Sequence, residues 1–92
     1  MITLQDLKTA NNKNGDNYFD SNTLRFFNST ISEIKGEKGK FAYFIETIHY
    51  NSRPTHKIRK FVWVGENKGR VEKKTYGTYK TMNGAIKGLN RI

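Results

Sequence analysis

The segment Phe41-Ala42-Tyr43-Phe44-Ile45-Glu46-Thr47-Ile48 constrains the fold most. Alternate side chains of an extended strand face opposite ways, so Phe41, Tyr43, Ile45 and Thr47 share one face and Ala42, Phe44, Glu46 and Ile48 the other. Both faces are largely apolar. Such a strand belongs inside a sheet covered on both sides, and the rest of the chain must supply both covers. With 92 residues there is room for one domain and one modest core, burying about 60–65% of the unfolded surface.

The flanking segments supply the remaining elements. Thr3 can cap the amide of Asp6 to open a helix, with Ile2 and Leu7 placed as a hydrophobic staple. Asn11 to Asn17 is a polar tract with Gly15, and is expected to be a flexible loop. Asp20 or Ser21 can cap a short second helix, with Phe19, Leu24 and Phe27 toward the core. Ser29 to Ile34 reads as a strand, and Lys35 to Gly39 as a turn. Asn51 to Pro54 breaks the central strand. Lys57 to Val64 follows as a strand, with Ile58, Val62 and Val64 on one face and Lys57, Arg59, Phe61 and Trp63 on the other. Gly65 to Gly69 is a hairpin turn, and Arg70 to Tyr76 a fourth strand with Val71 inward. Thr81 caps a last helix in which Met82, Ala85, Ile86 and Leu89 form one apolar stripe. Gly84 and Gly88 weaken that helix but permit close approach to the sheet. The expected fold is α+β: one domain, residues 1–92, a four-stranded antiparallel sheet with short N-terminal helices and a C-terminal helix packed on it.

Charge then narrows the function. Lys and Arg number 17 against 8 Asp and Glu, a formal net charge of +9. It is unevenly placed: residues 1–34 carry three basic and four acidic side chains, residues 35–92 fourteen and four. Only 35% of residues are hydrophobic, yet 13% are aromatic; disordered basic tails lack aromatics, so the chain should fold. A nucleic-acid mimic would be acidic and is excluded. No Cys is present, which removes disulfides, thiolate metal sites and thiol nucleophiles. Residues 1–12 show no basic start followed by an apolar run, and the longest apolar run, Phe61 to Val64, is far short of a membrane span. The cytoplasm of a host cell is the expected compartment.

The aromatic stretch Tyr18-Phe19-Asp20 with Thr23-Leu24-Arg25-Phe26-Phe27-Asn28-Ser29, followed by Tyr43-Phe44-Ile45, Arg59-Lys60-Phe61 and Tyr76-Gly77-Thr78-Tyr79, resembles small uncharacterised proteins of phages and plasmids. The resemblance runs over residues 18–89. It implies a mobile-element origin and carries no activity. Small phage proteins of this kind are often non-enzymatic binders, and some block host defence.

Chemistry-bearing groups point the same way. Lys57, Arg59, Phe61 and Trp63 alternate along one strand, and Arg70, Lys74 and Tyr76 along the next. If the strands pair, both rows could share a face. Its cations would meet phosphates and release counterions, and its aromatics would stack bases. Arg53, Lys60, Lys68 and Lys73 would extend the patch. Phe61 and Trp63 have an alternative reading as core residues. Double-stranded RNA-binding domains share a similar element order, but their basic helix start is missing from Thr81-Met82-Asn83-Gly84. His49 and His56 lack an evident third metal ligand, and read as solvated loop residues. No two carboxylates are placed together, and no serine sits in a nucleophile elbow.

The expected function is therefore non-enzymatic binding, without cofactor or metal. The basic sheet face would engage and sterically block a host nucleoprotein or nuclease-defence complex, as an anti-CRISPR or anti-restriction inhibitor does, or an acidic host protein. The alternative is a general DNA- or RNA-binding accessory protein of a phage. A monomer or homodimer suits either, since Ser29 to Ile34 could pair between subunits.

Overall fold

In the computed structural model, which describes residues 2–50 and 52–92, the elements run α1 (Leu4–Lys13), α2 (Ser21–Phe26), β1 (Ser29–Glu37), β2 (Phe41–Ile48), β3 (Thr55–Gly65), β4 (Lys68–Val71), β5 (Gly77–Tyr79) and α3 (Met82–Asn90). The fold is α+β. The strands form one antiparallel sheet in the order β1-β2-β3-β4, and β5 also pairs with β3. β4 lies beside Phe61 to Gly65 and β5 beside His56 to Ile58, so the two short strands divide one edge of β3. The strand expected over Arg70–Tyr76 therefore stops at Val71, and residues 72–76 form a connection to β5.

From Phe44 to Thr47 β2 is buried on both sides, as its alternation requires, while Phe41 and Tyr43 at its start stay partly exposed. One cluster holds Leu7, Ala10, Phe19, Ala42, Phe44, Phe61 and Trp63. Phe19, Phe44, Phe61 and Trp63 meet edge to face, with centroids 4.8–5.7 Å apart, the arrangement the ring quadrupoles favour. The other cluster holds Ile45, Ile58, Ala85 and Leu89, backed by Tyr43, Tyr76, Tyr79, Met82 and Ile86. α1 thus covers one face of the sheet and α3 the other.

α1 opens with a capping box: Thr3 Oγ1 accepts from Asp6 N at 3.3 Å, and Asp6 Oδ2 accepts from Thr3 N at 3.0 Å. That backbone bond is the main reason the Asp6 carboxyl lies below its ordinary range. The helix runs through Asn11, Asn12 and Lys13, the start of the tract expected to be a loop. Asn11 is buried; its Nδ2 donates to Gly69 O at 3.1 Å and its Oδ1 accepts from Tyr18 N at 2.8 Å. Its amide side chain works as a tether, which outweighs its weak helix propensity. Phe19 is core, but Phe27 is about half exposed and Phe26 more so, because α2 lies at the β1 margin beyond the main cover. Asp20 takes the N-cap position of α2 without a side-chain cap bond.

α3 is capped by Thr81, whose Oγ1 accepts from Gly84 N at 3.1 Å. Gly88 is buried, and a Cβ there would run into the Tyr79 hydroxyl. The glycine lets the helix lie close over β5. β1 is bent between Ser32 and Lys35, where Glu33 adopts φ 55°. No helix among the described residues is long and apolar enough to cross a membrane.

Candidate nucleic-acid interface

α3 is too short to cover its face. Nine residues of helix span about 14 Å, whereas the eleven residues of β3 span about 36 Å. α3 sits over Ile45, Ile58 and Tyr79, near the start of β3. Beyond it the same face stays open, from Phe41 and Tyr43 on β2 to Lys60 and Val62 on β3 and Arg70 on β4, placed side by side by the register.

The open half is an aromatic strip under cations. Phe41 and Tyr43 have centroids 5.7 Å apart, and Tyr43 and Tyr76 5.3 Å. Lys60 Nζ lies 4.7 Å from the Phe41 ring centroid, 5.4 Å from that of Tyr43 and 5.8 Å from that of Tyr76. Lys74 Nζ lies 4.9 Å from the Tyr76 ring. Phe41 is 43% exposed, unusual for a phenylalanine at mid-sheet. The Tyr76 hydroxyl donates to Glu72 Oε1 at 2.5 Å, which fixes the ring and occupies the nearest carboxylate. That bond, ahead of desolvation, pushes the Tyr76 hydroxyl up to about 12. Lys35, opposite Tyr43 on β1, reaches Leu89 O at 3.4 Å and Ile92 O at 3.3 Å and pins the end of α3 beside the strip.

The ten residues singled out from the sequence divide between surfaces. Lys60, Arg70, Lys74 and Tyr76 belong to the strip or its border, while Lys68 is exposed at the start of β4 and Lys73 on the connection that follows it. Arg53 is exposed in the loop before β3, beside Lys80 at a surface hollow. Lys57 and Arg59 lie on the opposite, α1 face, where Lys57 stands across from Glu46 and an Arg59 Nη donates to Glu72 O at 3.0 Å. Trp63 is buried beneath α1 with Phe61. The expectation that the two rows share one face is therefore corrected: Arg70 pairs with Val62, not with Phe61 or Trp63. Phe61 and Trp63 fill the core because they lie over Ala42 and under Leu7, and their parity carries Lys57 and Arg59 to that side.

Phe41 and Tyr43 were missed as site residues. The signal was their position opposite Val62 and Lys60 once Phe61 is assigned to the core.

Few cations are consumed by carboxylates. Among the described residues the ion pairs within 4.0 Å are Lys38–Asp6 and Lys40–Glu37, both at 3.5 Å. Of the two histidines expected to be solvated in a loop, His49 is so placed and His56 is not. His56 is buried in β3 with Nδ1 2.8 Å from Thr47 Oγ1, while His49 is exposed with Nε2 3.2 Å from Thr30 Oγ1. No group of three His, Asp or Glu side chains suited to a metal occurs among the described residues.

A family model described as a family of unknown function, DUF7447, matches residues 3–90. No curated protein and no solved structure matches the chain.

Proposed function

From the premise that this chain belongs to the DUF7447 family, which has no assigned function, we propose that it is a binding protein for single-stranded nucleic acid. It acts through the open half of the α3 face, without catalysis. The observation that carries this is the Phe41–Tyr43–Tyr76 strip roofed by Lys60 and Lys74.

Bases stack on aromatic rings irrespective of sequence, at about 1–3 kcal/mol each. Each exposed cation–π contact is worth about 0.5–1 kcal/mol. A base settling on Phe41 can therefore displace the Lys60 ammonium, which swings to the adjacent phosphate. Lys74 and Arg70 flank the strip for neighbouring phosphates. A duplex does not offer unstacked bases to a flat sheet, so the strip favours single strands.

Three phosphate contacts give a salt slope of about −2 for single strands, so raising salt fourfold should weaken binding roughly 20-fold. Fluorescence anisotropy of a labelled single-stranded oligonucleotide measures this. The K60E/K74E double variant should lose at least about tenfold in affinity and flatten the slope by about 1.4. Phe41→Ala should weaken binding roughly 5- to 150-fold, and Lys87→Glu, on exposed α3 surface, should leave it unchanged. Unaltered binding by the double variant would refute the reading.

A mobile-element origin and a role in blocking a host nucleoprotein or nuclease-defence complex form the narrower version of the proposal, with the strip pressed on exposed guide or substrate strand in the host cytoplasm. Capture of an acidic host protein or complex by a chain with no affinity for bare strand would overturn strand binding in favour of a protein target.

A further inference from the structure

The opposite face of the sheet carries a second, chemically different feature. α1 lies over the Phe61 and Trp63 end of β3. Toward the start of β3 that face opens into a cleft of about 210 Å³, floored by Glu46, Ile48 and Arg59. Tyr18, Phe27 and Tyr50 stand around it.

Its polar groups are incompletely used. Glu46 is only 7% exposed. It accepts from the Tyr18 hydroxyl at 2.6 Å, one of about four lone-pair sites that a carboxylate offers. Burial, and then the Glu46 carboxylate, push the Tyr18 hydroxyl well above the ordinary tyrosine range, so it remains a donor. Among the described residues no cationic nitrogen lies within 4.0 Å of Glu46. Arg59 lines the same cleft; one Nη donates to Glu72 O at 3.0 Å, and its Nε is buried without a hydrogen-bond partner among the described residues. A buried charged donor left unpaired is costly. Phe27 is 49% exposed and Tyr50 65%, so neither aromatic serves the core.

These features define a ligand. The exposed rings ask for a flat one. Glu46 asks for N–H donors and Arg59 for an acceptor close by. The volume is below the roughly 300–1,000 Å³ of drug-sized sites, which suits one ring system. Among nucleobases, guanine alone presents two adjacent parallel N–H donors, N1–H and the 2-amino group, with a carbonyl next to them. Adenine and cytosine would turn a ring-nitrogen acceptor toward the carboxylate, and uracil a second carbonyl.

We propose that this cleft binds a guanine ring, with Glu46 accepting from N1–H and the 2-amino group, Arg59 donating to O6, and the Phe27 and Tyr50 rings flanking the base. The site lies on the face opposite the aromatic strip and does not depend on the strip's function. It could be filled by a free guanine nucleoside or by an unstacked guanine within a strand, since the base edge is the same.

Titrating the full-length chain with guanosine, adenosine, cytidine and uridine, followed by amide chemical-shift perturbation, tests it. Guanosine should bind at least tenfold more tightly than the others, and shifts should centre on Glu46, Arg59 and Tyr50. Glu46→Gln keeps an acceptor for Tyr18 but turns an N–H toward the base, and should lose at least tenfold. Tyr50→Ala, at an exposed site where folding is not at stake, should weaken guanosine several-fold. Equal binding of all four nucleosides, shifts confined to Phe41, Tyr43 and Tyr76, no guanosine binding at millimolar concentration, or an unaffected Tyr50→Ala would each overturn the proposal. An oligouridine bearing one guanine separates the two sources. A Glu46-dependent gain over plain oligouridine supports capture from a strand, and guanosine binding without that gain supports a free nucleoside.

Discussion

Asn11→Ala should be among the most damaging polar substitutions in this chain. Asn11 is 1% exposed inside α1 and holds two separate segments: Gly69 on β4 through Nδ2, and the Tyr18 amide through Oδ1. Truncation leaves the Gly69 carbonyl and the Tyr18 N–H without these partners. Each buried orphan costs about 1–3 kcal/mol, with Tyr18 N toward the lower end because it is only part-buried. Alanine returns about 0.6 kcal/mol of helix propensity. The net loss is about 2–4 kcal/mol, against a total stability of about 5–14 kcal/mol for a chain of this size. In urea denaturation the midpoint should fall with an unchanged slope, and the melting temperature should drop by roughly 10–25 °C. Asn12→Ala, one residue along and exposed, is the control and should stay within about 0.5 kcal/mol of the parent. A midpoint for Asn11→Ala no lower than that of Asn12→Ala would refute the tether and return residues 11–17 to the status of a dispensable loop.

Two further outcomes follow from local geometry. The Tyr76 hydroxyl is raised to about 12 by its bond to Glu72, so its contribution to stability is complete below the ordinary tyrosine value near 10 and is lost as pH climbs toward 12. Ultraviolet titration of tyrosinate should show two late-ionising tyrosines, Tyr18 and Tyr76, of which the one near 12 vanishes in Tyr76→Phe. Gly88→Ala drives a Cβ into the Tyr79 hydroxyl, at a cost of about 1–3 kcal/mol that should outweigh the roughly 1 kcal/mol alanine gains in a helix. At Gly84 the added Cβ meets Thr81 Oγ1 at 3.1 Å and Tyr79 Cδ1 at 3.4 Å. Gly84→Ala should therefore lie within about 1 kcal/mol of the parent, and thermal melts should rank it above Gly88→Ala.

What was legible in the sequence is what short-range pattern dictates. The two apolar faces of Phe41–Ile48 call for a doubly covered strand, and Thr3 and Thr81 announce their helices; both caps form. The failures share another cause. In β3 each face mixes cations with large apolar residues, so alternation alone cannot say which face is buried; long-range packing of Phe61 and Trp63 against Leu7 and Ala42 decides it. That single parity choice moves Lys57 and Arg59 away from Lys60 and Arg70. Asn11 was misread because a buried amide and a loop amide look alike until their partners, 7 and 58 residues away, are in place. The split of one sheet edge into β4 and β5 left no local trace, since residues 72–76 keep the alternation of a strand while the ladder is interrupted between the Glu72 N–H bond to Lys60 O and the Tyr76 N–H bond to Ile58 O.

Both margins of the sheet are interrupted. On one side β1 is bent at Glu33, and on the other β4 and β5 offer only four and three residues before the ladder breaks. A long, straight, unpaired margin is the template on which chains stack into fibrils. Here a neighbouring molecule would find no more than a few consecutive backbone partners on either side. A small, aromatic-rich protein can therefore expose a flat sheet face to a ligand while its borders resist growth into a larger sheet.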